Sequence, residues 1–148
     1  MCAYLLEGDA TRDHAAGVTR TYIVFLAGTQ TVVAYFTLLA DSIKLEAHER
    51  PPGLPYVTAP AIKLGRFATD EQFSGRRAGH VVLDYVVGLG RSLSTSIGLR
   101  YVTLDALPRP PLIAYYEAYG FVRNLTPASP EDGVGIAEEV SMRFDLRS

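Results

Sequence analysis

Two apolar runs stand out early in the chain, RTYIVFLA at residues 20–27 and VVAYFTLLA at 32–40. Both are rich in β-branched and aromatic residues, and Gly28-Thr29-Gln30 between them is a turn signal, so the pair predicts a β-hairpin. Ahead of the hairpin, residues 5–16 have mixed helical character, with Gly17 as the stop. Behind it, residues 46–60 carry Pro51, Pro52, Pro55 and Pro60 and read as a loop. A third strand is expected at 61–69, where imperfect alternation suits a strand covered on both faces. Val82, Leu83, Val86, Leu89, Leu93 and Ile97 then recur at helical spacing, which predicts a helix over 79–97. Gly88 and Gly90 each weaken it by about 1 kcal/mol relative to alanine. A strand at 101–104, a short helix at 111–119 closed by Gly120, and two weaker strands near 121–125 and 139–144 complete the series. This order predicts an α/β (α+β) fold: a mixed, mostly antiparallel sheet flanked by helices, with a crossover helix in the middle. No repeat, low-complexity tract or long charge block interrupts the 148 residues, so one domain covering 1–148 is expected.

Composition narrows the class. Hydrophobic residues at 48% and charged residues at 20% exclude a disordered or fibrous chain. No apolar run approaches the ~18 residues of a membrane span. Residues 1–16 lack the pattern of a signal peptide, and Cys2, the one cysteine, has no internal disulfide partner. Both features point to a reducing, cytoplasmic location. The net charge of −2 predicts no strong polyanion binder. Yet Lys44 and Lys63 are the only lysines among 14 basic residues, so the other 12 are arginines, the type suited to forked phosphate or carboxylate recognition.

Two stretches carry candidate chemistry. One runs from the third strand through Ser74-Gly75-Arg76-Arg77-Ala78-Gly79-His80 into the long helix. Free amide N–H groups at a helix start attract anions, glycine lets a phosphate approach, and arginines add charged hydrogen bonds. A solvated loop accounts for the same spacing, which is neither that of a Walker loop nor G-x-G-x-x-G. The other stretch is Ala114-Tyr115-Tyr116-Glu117-Ala118-Tyr119-Gly120-Phe121. Its tyrosines are either core aromatics or include a general acid. His14, His48 and His80 have no carboxylate at metal-ligand spacing, so no metal is expected.

Together the two stretches resemble the Gcn5-related N-acetyltransferase (GNAT) superfamily. There the fourth strand feeds a pyrophosphate loop, Gln/Arg-x-x-Gly-x-Gly/Ala, that opens the long helix. A tyrosine in a Tyr-x-x-x-Gly-Phe setting protonates the coenzyme A thiolate, and Tyr116 to Phe121 fits that setting at every defined position. The phrases Gly17-Val18-Thr19-Arg20-Thr21-Tyr22, Leu64-Gly65-Arg66-Phe67-Ala68-Thr69-Asp70 and Tyr115 to Phe121 are similar to the acetyltransferase toxins of toxin–antitoxin pairs, which acetylate aminoacyl-tRNA. Two departures stand in the loop, where Ser74 replaces Gln/Arg and Arg77 replaces the first glycine, leaving Gly79 to meet the last position. The start of the chain reads as shortened relative to the superfamily, by an edge strand or by a downstream start site.

The resemblance implies acetyl-CoA as cosubstrate and an acetyl transfer to a primary amine, the α-amine of aminoacyl-tRNA. Backbone groups of Phe67, Ala68 and Thr69 would pair with the pantetheine arm. Amides of Gly75, Arg76, Arg77, Ala78, Gly79 and His80 would hold the pyrophosphate, one of them polarising the thioester carbonyl. The Arg77 side chain would crowd the pyrophosphate unless it turned outward, where it would contact the 3′-phosphate instead. Tyr116 would be the general acid and Arg66 a substrate-binding residue, with Arg91 and Arg109 as further phosphate candidates. No general base is evident, and an α-amine with a pKa near 8 needs little help. A ribbon-helix-helix antitoxin and a homodimer are implied partners, and no membrane. Acetylation of a small amine or protein N-terminus, and a catalytically degenerate binding protein of the same fold, are the competing readings.

Overall fold

The computed structural model describes residues 3–73, 77–125 and 139–148. Its elements are α1 (Ala3–Leu6), α2 (Asp9–Ala15), β1 (Arg20–Phe25), β2 (Val32–Lys44), β3 (Thr58–Thr69), a 3-10 turn (Glu71–Phe73), α3 (Ala78–Leu93), β4 (Tyr101–Ala106), α4 (Pro110–Tyr119), β5 (Val122–Arg123) and β6 (Val140–Asp145). The strands form one six-stranded sheet in the order β1-β2-β3-β4-β6-β5. Pairs β1–β2, β4–β6 and β5–β6 are antiparallel, so the mixed, mostly antiparallel sheet expected from the sequence is present. Contacts divide the chain into two units, Met1–Leu39 with Leu64–Leu89 and Ala40–Lys63 with Gly90–Ser148.

In the first unit the hairpin runs in register from Arg20 opposite Leu38 to Phe25 opposite Val32, with a bulge between Val24 and Phe25. Val33 to Leu38 are all buried, as a central strand covered on both faces requires. On one face Tyr22 stacks on Phe36, rings 4.9 Å apart, and Tyr85 of α3 lies edge-on to Phe36 at 5.9 Å. Tyr35, adjacent in sequence and therefore on the other face, stacks on Tyr4 at 6.2 Å. The helix expected over 5–16 is instead two short helices broken at Gly8, whose φ of 82° no helix can carry. The expected 79–97 helix ends earlier, at Leu93. Beyond it the Ser94 and Thr95 hydroxyls donate back to the carbonyls of Arg91 and Ser92 at 2.7 Å, competing with helical amide bonds.

In the second unit Ile43, Leu45, Ala59, Ala61 and Tyr101 form a small apolar core, with Leu54 packed against it. Burial of Ile43 and Leu45 explains why β2 runs to Lys44, past the expected end at residue 40. β3 likewise begins at Thr58, inside the expected proline loop. Pro60 has no N–H to give, but its carbonyl accepts the Arg100 amide at 3.0 Å. β4 and β6 pair from Tyr101 opposite Asp145 to Ala106 opposite Val140. Arg100 grips Asp145 with two hydrogen bonds, at 2.8 and 2.7 Å. Lys63 pairs with Asp105, and the Thr103 hydroxyl donates to Asp41 at 2.8 Å. Arg143 pairs with Glu49 at 2.8 Å, their side chains only 11% and 4% exposed. No helix among the described residues is long and apolar enough to cross a membrane.

Candidate functional site

The first part of the site is the end of β3 and the start of α3, both in the first unit. Here the strand is shaped by one close approach. A Cβ at position 65 would lie 2.8 Å from Thr37 Oγ1 and 3.1 Å from Leu39 Cδ2. Glycine removes that clash, and the buried Thr37 hydroxyl accepts the Arg66 amide at 2.8 Å. Phe67, Ala68 and Thr69 finish the strand. Asp70 then donates its amide to the Val33 carbonyl at 2.9 Å and takes the Gln72 amide on its carboxylate at 2.9 Å, which turns the chain away. Gly75 and Arg76, with Ser74, lie outside the described residues.

Arg77 stands at the helix start, where its carbonyl accepts the Val81 amide at 3.0 Å. Its φ is +60°, the left-handed region that glycine adopts freely and other residues adopt at a cost. The glycine implied at this position by the resemblance therefore answers a backbone requirement, and Arg77 meets it with strain. Ala78, Gly79 and His80 occupy the first turn of α3, the end of a helix that attracts an anion. The His80 imidazole sits 3.7 Å from Asp84, one turn along. Arg66 is held differently: its guanidinium lies 4.3 Å over the ring of Tyr4.

Tyr116 belongs to the second unit, on α4. Pro110 and Pro111 open that helix, where a missing N–H costs nothing, and the Arg109 carbonyl accepts the amides of Leu112 and Ile113 at 3.0 Å. Gly120 closes it with a φ of 121°; a Cβ there would lie 3.0 Å from Phe144 Cε2. The reversal brings Phe121 under Tyr116, rings 5.7 Å apart, with its amide donating to the Tyr116 carbonyl at 3.0 Å. That is the physical content of the Tyr-x-x-x-Gly-Phe pattern: glycine makes the bend and phenylalanine packs the tyrosine. Tyr116 is 7% exposed, and its hydroxyl donates to no described residue. Burial, then the neighbouring Tyr115, pushes its pKa up to about 12. Tyr119 joins Phe121 and Phe144 in the aromatic core instead.

Of the other arginines named from the sequence, Arg91 spends its guanidinium on the carbonyls of Leu146 and Ser148, at 3.3 and 3.2 Å, and so secures the last residues. Arg109 is the cap position of α4. Tyr4 is the residue that sequence reading missed, because nothing in its neighbourhood reveals what lies above its ring. Among the described residues, no group of three or more His, Cys, Asp or Glu is arranged to hold a metal ion.

The mixed six-stranded sheet, with a strand–loop–helix junction and a tyrosine-bearing helix after β4, is the GNAT fold. Among solved structures it is similar to AtaT complexed with acetyl-methionyl-tRNAfMet, at a TM-score of 0.77 and 21% identity, over 97% of this chain and 80% of that one. A Tyr-to-Phe variant of KacT matches at 0.76 and 20% identity, over 97% and 80%. AtaTR bound with acetyl-CoA matches at 0.71 and 22%, over 97% and 79%. The chain matches no protein-family model and no curated protein. At these identities the likeness is one of fold.

Proposed function

We propose that this chain is an acetyl-CoA-dependent N-acetyltransferase of the toxin type, moving an acetyl group to the α-amine of aminoacyl-tRNA. The observation that carries the reading is Tyr116, a buried phenol packed by the Gly120–Phe121 bend, in a chain whose fold is shared with AtaT complexed with acetyl-methionyl-tRNAfMet. The backbone of Phe67, Ala68 and Thr69 would carry the pantetheine arm. Amides from Gly75, Arg76, Arg77, Ala78, Gly79 and His80 would receive the pyrophosphate and polarise the thioester carbonyl.

In the reaction the neutral amine attacks the thioester carbon, and the resulting tetrahedral adduct collapses by breaking the carbon–sulfur bond. Tyr116 gives its proton to the departing sulfur and recovers one from the acceptor nitrogen. A phenol near 12 is a weaker acid than a thiol of about 8.5, so its proton transfer to sulfur is uphill and is completed by the phenolate's uptake of the acceptor nitrogen's proton. An α-amine near about 8 is partly neutral at pH 7 and asks for no dedicated base.

The neighbour solved with the C-terminus of the antitoxin AtaR supports an antitoxin as partner. A ribbon-helix-helix type for that antitoxin, and a homodimer for this chain, belong to the same proposal. The test is acetyl transfer from labelled acetyl-CoA to aminoacyl-tRNA, with polyamines, aminoglycosides and peptides as competing acceptors. Acetyl-aminoacyl product that disappears in Tyr116→Phe is expected. The modest net charge of −2 favours the second reading, a small amine or protein N-terminus, and product on those acceptors alone would establish it. Acetyl-CoA binding without turnover on any acceptor would mark a degenerate member.

A further inference from the structure

Arg66 is an arginine whose surroundings among the described residues point to a ligand. Arg12, Arg100, Arg123 and Arg143 spend their guanidinium groups on carboxylates, and Arg20 and Arg91 on carbonyls. Arg66 is held by stacking, 4.3 Å over the Tyr4 ring, and no described residue accepts a hydrogen bond from its guanidinium. The ring beneath it is fixed in turn. Tyr4 is 3% exposed, its hydroxyl lies 3.2 Å from Asp13 Oδ2 and 3.3 Å from Thr19 Oγ1, and its ring stacks on Tyr35. Stacking orients a guanidinium plane without neutralising its charge or using its N–H edge, so the fork stays open to a tetrahedral oxyanion. The amide of the same residue is pinned by Thr37, so backbone and side chain of Arg66 are both placed.

We infer that Tyr4 is a positioning residue that holds Arg66 as a receptor for a phosphodiester of the RNA acceptor; the inference rests on the proposed reading that the acceptor is a charged tRNA.

The test is equilibrium binding of uncharged tRNA to the full chain, by anisotropy, from about 50 to about 200 mM salt, which reads phosphate contacts without requiring turnover. Arg66→Gln is expected to lower affinity and to flatten the slope of log affinity against log salt by about 0.7 to 0.9, the worth of one phosphate. Tyr4→Leu is expected to weaken binding about as much, and the double variant no further than Arg66→Gln alone, because the ring acts through Arg66. Tyr4→Phe keeps the ring and most of the affinity. Additive losses, or an unchanged slope in Arg66→Gln, overturn the proposal. Should Tyr4→Leu unfold, Arg66→Lys decides: it keeps the charge but neither forks nor stacks, so full retention of affinity overturns the proposal and loss supports it. A defect of Arg66→Gln confined to the KM for acetyl-CoA assigns the fork to the cosubstrate's phosphates and also overturns it, as does a wild-type chain that binds no tRNA. These outcomes separate from the catalytic reading. Slope loss in a protein that acetylates no aminoacyl-tRNA keeps the receptor and sinks that reading, and the reverse pattern does the opposite.

Discussion

Arg77 shows what a single backbone angle demands. A left-handed φ costs a non-glycine residue on the order of 1 kcal/mol, so Arg77→Gly is expected to raise stability by about that much, near 2–4 °C in Tm for a chain this long. Arg77→Ala keeps the penalty and is expected to gain nothing; thermal melts of the two variants check it. Tyr116 makes a prediction of the opposite kind, about pH. A general acid must carry its proton, and a pKa raised to about 12 keeps it there. The rate is therefore expected to rise with pH as the acceptor amine loses its proton, near about 8, and to show no falling limb below about pH 11. Tyr116→Phe is expected to lower kcat by about 10²- to 10⁴-fold while the KM for acetyl-CoA stays close to wild type. A falling limb near pH 9 would mean that the phenol is not raised, or is not the acid.

Among the elements, α3 carries two glycines whose surroundings differ. A methyl at Gly88 meets nothing within 4 Å, so Gly88→Ala is expected to gain about 0.5–1 kcal/mol of helix stability. At Gly90 the added carbon would lie 2.9 Å from Leu146 Cδ2, and Leu146 is itself buried, so the same change is expected to gain less or to lose. Equilibrium unfolding of the pair in urea measures the difference. Sequence patterning predicted the presence and type of nearly every element, because their buried faces repeat at helical or strand spacing. It missed the extension of β2, since Asp41 and Ser42 look like the end of a strand when the Thr103 hydroxyl that Asp41 accepts is out of view. It also missed the break in the first helix, where Gly8 is small enough to pass as an ordinary helical position. The Tyr-x-x-x-Gly-Phe part of the site was legible because its parts are neighbours on the chain. The Tyr4–Arg66 stack and the Glu49–Arg143 pair were not, because their partners meet only through folding.

For the whole molecule, β2, β3 and α3 each pass from one contact unit into the other, near residues 39, 63 and 89. We propose that residues 1–148 unfold as one domain, with tyrosine fluorescence and far-UV dichroism following a single transition; separate transitions would divide it. Acid is expected to destabilise the fold through Glu49. Burial pushes that carboxyl up, but the amides of Glu46 and Leu125 and the Arg143 guanidinium outweigh it and hold the pKa below the ordinary 4.5. A lowered pKa gives stability that is complete above about 4.5 and lost as pH falls through the lowered value. Melting temperatures from about pH 3 to 6 are expected to flatten in Glu49→Gln. Arg143→Met, which leaves that carboxylate to the amides of Glu46 and Leu125 alone, is expected to lower the melting temperature at neutral pH.

The scarcity of lysine has a consequence under the proposed acetyltransferase reading. Burial pushes Lys63 toward its neutral form, but the hydrogen bond and charge of Asp105, with Asp41 and Glu139, hold it protonated. A protonated ammonium has no lone pair to offer a thioester. Lys44 is exposed at the end of β2, whereas Lys63 is half-buried in its pair with Asp105, so Lys44 is the lysine more open to acylation. If acetyl-CoA is the cosubstrate, as proposed, a chain built this way is acylated little by it. Mass spectrometry after prolonged incubation with acetyl-CoA is expected to find acetyl on Lys44 and none on Lys63.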